Sequence, residues 1–286
     1  MIEATWQRRA ALGLGVAGAA AALASTRAAA EATSTWERIR GDRELRIGVT
    51  SGEPWFYKDP ASGAWSGIGF AAGQAIAAAM DVKLTPVETS WGTAVAGLQA
   101  DQFDVMFVLD ATPQRALSVD FPVQPFFYYA QGVLVRDGLA AKHWADLDKP
   151  DVRIGVTLGT APDRDVTARL PHARIERFPG NDQTIMAFQS GHVDAVSLYH
   201  PALVMQQHRV HMGKVVLPEP IRTSTTSAGV RREADKTWRV WLGLALDFYS
   251  VTGLTQGFYE AFLQSRGIDP NEAPAVMREM WGTSQG

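Results

Sequence analysis

The chain has 286 residues, of which 46% are hydrophobic and 20% are charged, and these values are typical of globular proteins. This length exceeds what one small core needs and fits two lobes. The net charge of −3 provides no basic footprint for nucleic acid, and the lack of cysteine excludes disulfides and cysteine-based zinc sites.

Residues 1–30 have the pattern of an export signal. Arg8 and Arg9 precede an apolar run over residues 10–24, and small residues follow up to Ala30. A basic start, a short apolar centre and a small-residue end are typical of secretion signals. The paired arginines permit the twin-arginine route, so that route and the general secretory route both stay open. An ordinary buried helix is the alternative. We expect a periplasmic protein with no stable membrane insertion after signal removal.

Residues 45–109 alternate between β-rich and helical segments. The β-rich runs cover residues 45–50, 82–87 and 103–109. Between them, residues 69–80 are rich in alanine and contain no proline, and residues 91–99 also favour a helix. Strands that alternate with helices predict a parallel sheet covered by helices.

A similar order restarts at residue 153. Strands are predicted over 153–157 and 193–198, with a helix over 184–190 between them. The aromatic segment from Phe126 to Tyr129 and the stretch 218–226 then connect two similar α/β halves. This repetition predicts an α/β protein of two lobes.

Two predicted helices, over residues 238–249 and 257–264, close the chain. The first has apolar residues at seven positions between 241 and 249, which leaves it little polar face. We therefore expect this helix to be substantially buried.

The segment 104–121 carries the clearest sign of a ligand site. An apolar strand runs into a polar corner at Asp110, and a Thr-Pro-x-Arg turn then brings Arg115 to the carboxyl end of that strand. Small ligands bind at such strand ends in open α/β sheets. The planar fork of an arginine matches a carboxylate, so Arg115 is a candidate carboxylate ligand.

Several short motifs follow one another along the chain: Leu45-Arg-Ile-Gly48, Gly67-Ile-Gly-Phe70, Thr112-Pro-Gln-Arg115, Val119-Asp-Phe121, Gly155-Val-Thr-Leu-Gly-Thr160 and Gly191-His-Val-Asp-Ala-Val196. Their order and spacing resemble the periplasmic solute-binding proteins of ABC importers, in the polar amino-acid-binding branch known as family 3. The resemblance covers roughly residues 44–265. It implies two lobes, each a mostly parallel sheet flanked by helices, with a two-strand hinge and a ligand clamped by hinge closure. We place lobe 1 at 31–132 and 221–286, and lobe 2 at 133–220.

The resemblance also implies site residues. Arg115 matches the arginine that binds the α-carboxylate of the ligand; a surface arginine that caps the turn is the alternative. Thr160 and Ala161 match positions that add contacts to the same carboxylate, and Ala161 keeps a backbone N–H but no hydroxyl. Trp91 matches an aromatic residue that packs on the ligand, and a tryptophan of the lobe core is its alternative.

Glu53 falls where an aromatic stacking residue is common in the resembling family, and Trp55 follows it closely. Two departures concern charge. The carboxylate that usually binds the ligand ammonium is replaced by Tyr199, while Asp110 stands where a small hydroxyl residue is usual. Because a buried carboxylate needs a partner, Asp110 either pairs with Arg115 or receives a cation of the ligand. Our hypothesis is that Asp110, with Glu53, holds an ammonium, and that Trp55, Trp91 and Tyr199 form a partial aromatic cage.

The sequence predicts no cofactor and no metal site. A G-x-G-x-x-G match at residues 13–18 lies inside the export signal, where no strand precedes it. His208 and His211 could share a helix face, but no carboxylate or cysteine lies near them in sequence.

Three functions compete. The resemblance favours a non-catalytic binding protein that captures a small carboxylate-bearing, amino-acid-like ligand as a monomer for an ABC permease. An enzyme similar to cyclohexadienyl dehydratases is the first rival, although Pro162 occupies the position of its acid and Asp163 is displaced by one residue. An accessory or sensory binding protein of an exported redox system is the second.

Overall fold

The computed structural model describes residues 33–281 as an α/β fold with helices flanking a mixed sheet. The predicted export signal lies outside the described residues. Within this range no helix is long and apolar enough to cross a membrane. The helices are α1 (Thr35–Asp42), α2 (Ile68–Met80), α3 (Ala94–Gln99), α4 (Trp144–Leu147), α5 (Ala161–Arg169), α6 (Asn181–Gln189), α7 (His200–Val210), α8 (Thr237–Val251) and α9 (Leu254–Ser265).

The strands follow the predicted alternation with the helices. They are β1 (Glu44–Val49), β2 (Tyr57–Lys58), β3 (Trp65–Ser66), β4 (Lys83–Glu88), β5 (Met106–Leu109), β6 (Phe127–Val135), β7 (Arg153–Thr157), β8 (Arg174–Phe178), β9 (Ala195–Tyr199), β10 (Lys214–Val216) and β11 (Thr223–Gly229). Short 3-10 turns cover Arg115–Leu117, Pro270–Glu272 and Arg278–Met280.

The first part of the fold is built on β1, which pairs with β4 in parallel. Leu45, Ile47 and Val49 of β1 are fully buried, as the alternation of side chains along a strand requires. The Gly48 N–H donates to the Val105 carbonyl oxygen over 2.9 Å, which continues this sheet toward β5. The chain therefore delivers the end of β5 beside the end of β1.

Helix α3 is shorter than the sequence predicts, because residues 90–93 form a polar turn. The Thr93 N–H donates to the Ser90 hydroxyl and the Ser90 N–H donates to the Thr93 hydroxyl, each over 3.2 Å. Such side-chain bonds to the backbone compete with helix formation. Trp91 consequently lies in this turn, before the helix begins at Ala94.

The largest sheet has the strand order β5-β11-β6-β9-β7-β8, with β10 paired to β6. Strands β7, β8 and β9 are parallel, whereas β6 is antiparallel to its neighbours β9, β10 and β11. Val133 and Val135 of β6 join one apolar core while Leu134 joins another. Both faces of this part of the sheet are therefore covered, as parallel sheets require.

Strands β6 and β11 carry the chain between the two halves of the fold. Phe127 to Ala130 of β6 pair with β11, and Gln131 to Val135 pair with β9. The Gln131 N–H donates to the Arg222 carbonyl oxygen over 2.9 Å, which holds the two connections side by side. The lobe boundaries at 31–132, 133–220 and 221–286 remain our proposal.

The expectation that helix α8 is substantially buried is wrong. Its inner face is buried, with Trp238 1% and Leu242 0% exposed, and the Trp238 indole N–H donates to the Asp104 carbonyl oxygen over 3.0 Å. Its outer face leaves Leu244 69% and Phe248 61% exposed. The number of apolar residues in a helix does not report burial when the helix packs on one side only.

The C-terminal segment packs against the crossing strand β6. The Tyr128 N–H donates to the Val276 carbonyl oxygen over 3.1 Å, and Trp281 packs on Ala130. The wholly buried His200, at the start of α7, accepts the Ala130 N–H at Nδ1 over 2.9 Å. Burial is the largest effect on this imidazole and lowers its pKa to about 4, although nearby backbone groups act in the opposite direction.

His200 should make the free energy of unfolding depend on pH. Its pKa lies near 4 in the folded chain and near 6.5 when unfolded, so the unfolded chain binds the extra proton within that window. Stability should therefore fall by about 3 kcal/mol as the pH drops from 6.5 to 4, and this contribution should not change further below 4. Urea unfolding at each pH would measure the loss.

The matched variant for this prediction is His200→Gln, whose side-chain oxygen can still accept the Ala130 N–H but does not titrate. The stability difference between His200→Gln and the parent chain should change across the window from pH 6.5 to 4. A difference that stays constant over this range would contradict the assignment.

Candidate functional site

The Thr-Pro-x-Arg turn folds Arg115 back onto the end of β5. The Thr112 N–H donates to the Asp110 carbonyl oxygen over 2.9 Å, and the Arg115 N–H donates to the Thr112 hydroxyl over 3.3 Å. The Arg115 guanidinium then donates through Nη1 to the Asp110 carbonyl oxygen over 3.0 Å. One donor of five is thereby used. Arg115 is half-buried and forms no ion pair within residues 33–281.

The carboxylate of Asp110 has a different partner. The Tyr129 hydroxyl of β6 donates to Asp110 Oδ1 over 2.6 Å. Burial, followed by the charge of Asp110, raises the pKa of Tyr129, so the hydroxyl keeps its proton and stays a donor. Of the alternatives left open by the sequence, an ion pair between Asp110 and Arg115 is not formed. A cation and a carboxylate therefore lie at one corner without neutralising each other.

Sequence reasoning missed Tyr129 as a site residue. Its aromatic segment, residues 126–129, was recognised only as a connection between the halves. The signal available was its position on the crossing strand, next to the cleft that such a connection borders. Only the pairing of β6 with β11, and of β11 with β5, places Tyr129 against Asp110.

An aromatic cluster adjoins this corner and consists of Trp55, Phe127, Tyr129 and Tyr199. The Trp55 ring stacks on Phe127 with centroids 5.6 Å apart and lies 5.9 Å from Tyr129. The Tyr129 and Tyr199 centroids are 4.3 Å apart. The structure therefore brings Trp55, Tyr199 and Asp110 together through Tyr129. Trp91 lies outside this cluster and packs on Phe56 at 6.1 Å.

Tyr199 lies between charged groups of the two halves. Burial is the largest effect on its hydroxyl and raises its pKa, and the negative charges of Asp110 and Asp165 act in the same direction. A hydrogen bond with Ser224 and the positive charge of Arg164 oppose them. Since Arg164 and Asp165 belong to α5, the start of that helix lies near the aromatic cluster.

Thr160 is the N-cap of α5 rather than a free hydroxyl. Its hydroxyl donates to the Thr157 carbonyl oxygen over 2.7 Å and accepts the Asp163 N–H over 3.3 Å. The Ala161 N–H opens the helix, where no intrahelical carbonyl can accept it. No hydrogen bond joins Thr160 or Ala161 to Arg115 or Asp110. Ala161 thus offers the backbone donor that the sequence predicts, while the Thr160 hydroxyl is engaged.

Glu53 already forms an ion pair. Its Oε1 lies 2.9 Å from Nη2 of Arg266, whose guanidinium also covers the Tyr57 ring at 4.3 Å. A carboxylate paired in this way is poorly suited to hold a second cation. Of the two acids in our hypothesis, Asp110 is the one without a cationic partner.

A cavity of about 600 Å³ separates the two halves beside these groups. Such a volume lies in the usual range for small-molecule sites. Arg115, Asp110 and Tyr199 do not line it. Its walls include Glu53, Trp55 and Trp91 from the first half and Asn181, Asp182, Met205, Gln206, His208 and Arg209 from the second.

Removing the Tyr129 hydroxyl should weaken the fold at this corner. Tyr129→Phe leaves the half-buried Asp110 carboxylate without its donor, and we expect the free energy of unfolding to fall by about 1–3 kcal/mol. Tyr128→Phe is the matched control, since the Tyr128 ring lies under Arg278. Urea unfolding of both variants measures the effect, and an equal loss in both would contradict it.

The family model described as "Bacterial extracellular solute-binding proteins, family 3" matches residues 45–264. The chain belongs to this family. The resemblance inferred from the motifs is therefore confirmed, together with the two-lobed α/β fold. Proteins of family 3 are extracytoplasmic and most of them bind solutes without catalysis. No curated protein matches this family member.

Solved structures similar to this family 3 protein include two ancestral proteins and one natural protein. An ancestral cationic amino-acid solute-binding protein, AncCDT-1, is 28% identical over 80% of this chain and 99% of its own, with a TM-score of 0.69. A candidate ABC-transporter binding component from Wolinella succinogenes DSM 1740, complexed with lysine, is 25% identical over 76% and 94%, with a TM-score of 0.63. An ancestral cyclohexadienyl dehydratase is 26% identical over 82% and 97%, with a TM-score of 0.58.

Asp163 of this family 3 protein is buried and is held by hydrogen bonds and an ion pair within its own part of the fold. It is 5% exposed, accepts the Gly159 N–H over 2.9 Å and the Thr167 hydroxyl over 3.2 Å, and pairs with Arg177 over 2.9 Å. Burial opposes ionisation, but the Gly159 N–H and the Arg177 charge outweigh it and lower the pKa of Asp163. An ionised, bonded carboxylate has no proton to give, whereas a general acid must carry one.

Proposed function

We propose that this protein is an extracytoplasmic receptor that captures a small amino-acid-like zwitterion and delivers it to an ABC permease. The observation that carries the proposal is the corner at the end of β5. There the Arg115 guanidinium donates to the backbone carbonyl of Asp110, the Asp110 carboxylate accepts from Tyr129, and no ion pair joins the two charged groups. A zwitterion complements such a corner, with its carboxylate on Arg115 and its ammonium at Asp110.

The aromatic cluster supports a ligand whose amine is alkylated or bulky. Trp55 and Tyr199, which are half-buried and flank the buried Tyr129, present ring surface near the carboxylate of Asp110. Aromatic faces attract cations, and they do so most strongly where water is excluded. Tyr199 contributes a ring at the position where family members usually have a carboxylate. The negative charge that meets the ammonium therefore comes from Asp110, in the first half of the fold.

A thermal-shift screen tests the proposal. The probes are the standard amino acids, N-methylated amines and betaines, and small dicarboxylates, followed by calorimetry of each hit. Binding to the folded chain raises the melting temperature by mass action, so zwitterions should give the largest shifts. The similarity to a cationic amino-acid-binding protein and to a lysine complex makes lysine and arginine the first probes. A panel in which no carboxylate-bearing compound binds would overturn the proposal.

A dehydratase on the same fold is the second candidate, favoured by the similarity to an ancestral cyclohexadienyl dehydratase. Pro162 occupies the position expected for the acid, and Asp163 is ionised and buried. We therefore expect prephenate and arogenate to remain unchanged on incubation. Formation of an aromatic product, followed by its ultraviolet absorbance, would establish the enzyme and reject the receptor without catalysis.

A further inference from the structure

The turn that carries Arg115 is very short. It is a single 3-10 turn, Arg115–Leu117, in which the Ser118 N–H donates to the Arg115 carbonyl oxygen over 2.9 Å. The carbonyl oxygens of Ala116 and Leu117 come at its end, and within residues 33–281 no backbone N–H donates to either of them. Carbonyls at the end of a helical turn need partners from elsewhere. A turn of three residues therefore depends on outside groups to keep its shape.

Arg232 bonds both of these carbonyl oxygens, although it lies 115 residues after Leu117. Its Nη1 donates to the Leu117 carbonyl oxygen over 2.9 Å, and its Nη2 donates to the Ala116 carbonyl oxygen. A guanidinium is planar and carries its donors in a fixed fork, so two simultaneous bonds set both the position and the orientation of the turn. Arg232 thus caps the turn from a distant segment of the chain.

The guanidinium of Arg232 is itself held in place. Its Nε donates to Asp120 Oδ1 over 3.1 Å, and the Lys236 Nζ lies 2.6 Å from the other oxygen of that carboxylate. Burial opposes the ionisation of Asp120, but the bonds from Lys236 and Arg232 outweigh it and lower the pKa of this carboxyl. The backbones of Asp120 and Val230 exchange two N–H to carbonyl bonds of 2.9 Å each. The segment that carries Arg232 is therefore fixed beside the segment that follows the turn.

Arg115 depends on this frame because its own side chain is lightly held. Its guanidinium donates one bond, to the Asp110 carbonyl oxygen over 3.0 Å. A long side chain on an unsteady backbone has to be ordered when the ligand binds, and that ordering reduces the affinity. A guanidinium on a fixed turn already lies close to its bound position.

We propose that Arg232 is a positioning residue for carboxylate binding, because it fixes the turn that presents the Arg115 guanidinium to the ligand. This inference rests on the proposed function as a receptor for a carboxylate-bearing ligand. In it, Arg232 acts through Arg115 and not by contact with the ligand.

Amide hydrogen exchange of the ligand-free chain tests whether Arg232 fixes the turn. Arg232→Met should speed the exchange of the Ala116 and Ser118 N–H groups about fivefold or more, because both bonds to the turn are lost. Lys236→Met is the matched control, since Lys236 also bonds Asp120 but donates no bond to the turn. Its exchange rates in the turn should stay within about twofold of the parent. Equal rates in Arg232→Met and the parent would overturn the inference.

Calorimetry tests the effect on binding, with whichever of lysine, arginine and succinate binds the parent most tightly. Arg232→Met should weaken binding about tenfold, and Lys236→Met should weaken it less than about twofold. Arg232→Lys keeps the charge but not the fork, so it should remain at least about threefold weaker than the parent. Binding of Arg232→Lys as tight as that of the parent would reduce the role to charge and overturn the inference. Arg232 has a 49% exposed side chain, and thermal melts verify that each variant folds.

A double-variant cycle separates positioning from a general loss of structure. In a chain that already carries Arg115→Met, adding Arg232→Met should change the affinity less than about twofold, because the guanidinium that it positions is gone. A tenfold loss in both backgrounds would overturn the inference. If the parent binds and Arg232→Met binds as tightly, this inference alone fails. If no carboxylate-bearing probe binds the parent, the receptor proposal fails, and the ligand role of Arg232 fails with it whatever the exchange rates show.

Discussion

Arg115→Met should reduce the affinity for a carboxylate-bearing ligand by about 30-fold or more, because removing one partner of a charge-assisted pair costs about 2–5 kcal/mol. The fold should tolerate the change, since Arg115 is half-buried and donates a single bond to the Asp110 carbonyl oxygen. Calorimetry with lysine, arginine and succinate as probes measures the effect. All three should lose affinity, because all three present a carboxylate.

Arg43→Met is the matched control for this substitution. Arg43 has a 65% exposed side chain and pairs with Asp81 on the surface. Its variant should bind each probe as the parent does. If Arg115→Met and Arg43→Met bind lysine equally well, the assignment of Arg115 as the carboxylate ligand is wrong.

Asp110→Asn should show how much the ammonium of the ligand contributes to binding, separately from its carboxylate. The change removes the negative charge and keeps a side-chain oxygen that can accept the Tyr129 hydroxyl. The affinity for lysine and arginine should therefore fall by about 10- to 100-fold, since a bond to a charged group contributes about 1.5–3 kcal/mol. Succinate, which has no ammonium, should bind no more weakly than to the parent chain.

Glu53→Gln is the matched control for Asp110→Asn. Both remove one carboxylate near the cleft, but Glu53 is already paired with Arg266. Calorimetry should therefore find a change of less than about threefold for lysine with Glu53→Gln. Two variants with equal losses would indicate that both carboxylates hold the ammonium, and unchanged binding by Asp110→Asn would reject its role.

The sequence predicts where in the chain the ligand corner lies, but it does not predict which side chains contact one another there. An apolar strand followed by a Thr-Pro-x-Arg turn places Arg115 at the strand end, because strand and turn are set by neighbouring residues. The hydrogen-bond partner of Asp110 depends instead on the order of the strands in the sheet. Tyr129 reaches it only because β11 lies between β5 and β6. Glu53 likewise meets Arg266 from the far end of the sequence.

The burial of helix α8 could not be predicted from the sequence for a similar reason. Apolar residues lie on every side of this helix, and its sequence alone does not show which side meets the core. Trp238 and Leu242 are covered because they face the rest of the fold, whereas Leu244 and Phe248 point away from it and remain mostly exposed. A side chain is buried only where another surface packs on it, and the sequence of a single helix does not show which surface that is.

The sequence by itself determined the α/β order, the family and the arginine at the strand end, because periodicity, turns and motif spacing are local properties of the chain. The tertiary structure alone decided that Asp110 bonds to Tyr129, that Glu53 forms an ion pair with Arg266, that the Thr160 hydroxyl caps α5, and that the outer face of α8 is apolar and exposed. Each of these depends on which distant segments become neighbours. That choice follows from the packing of the whole chain, in which many weak contacts act together.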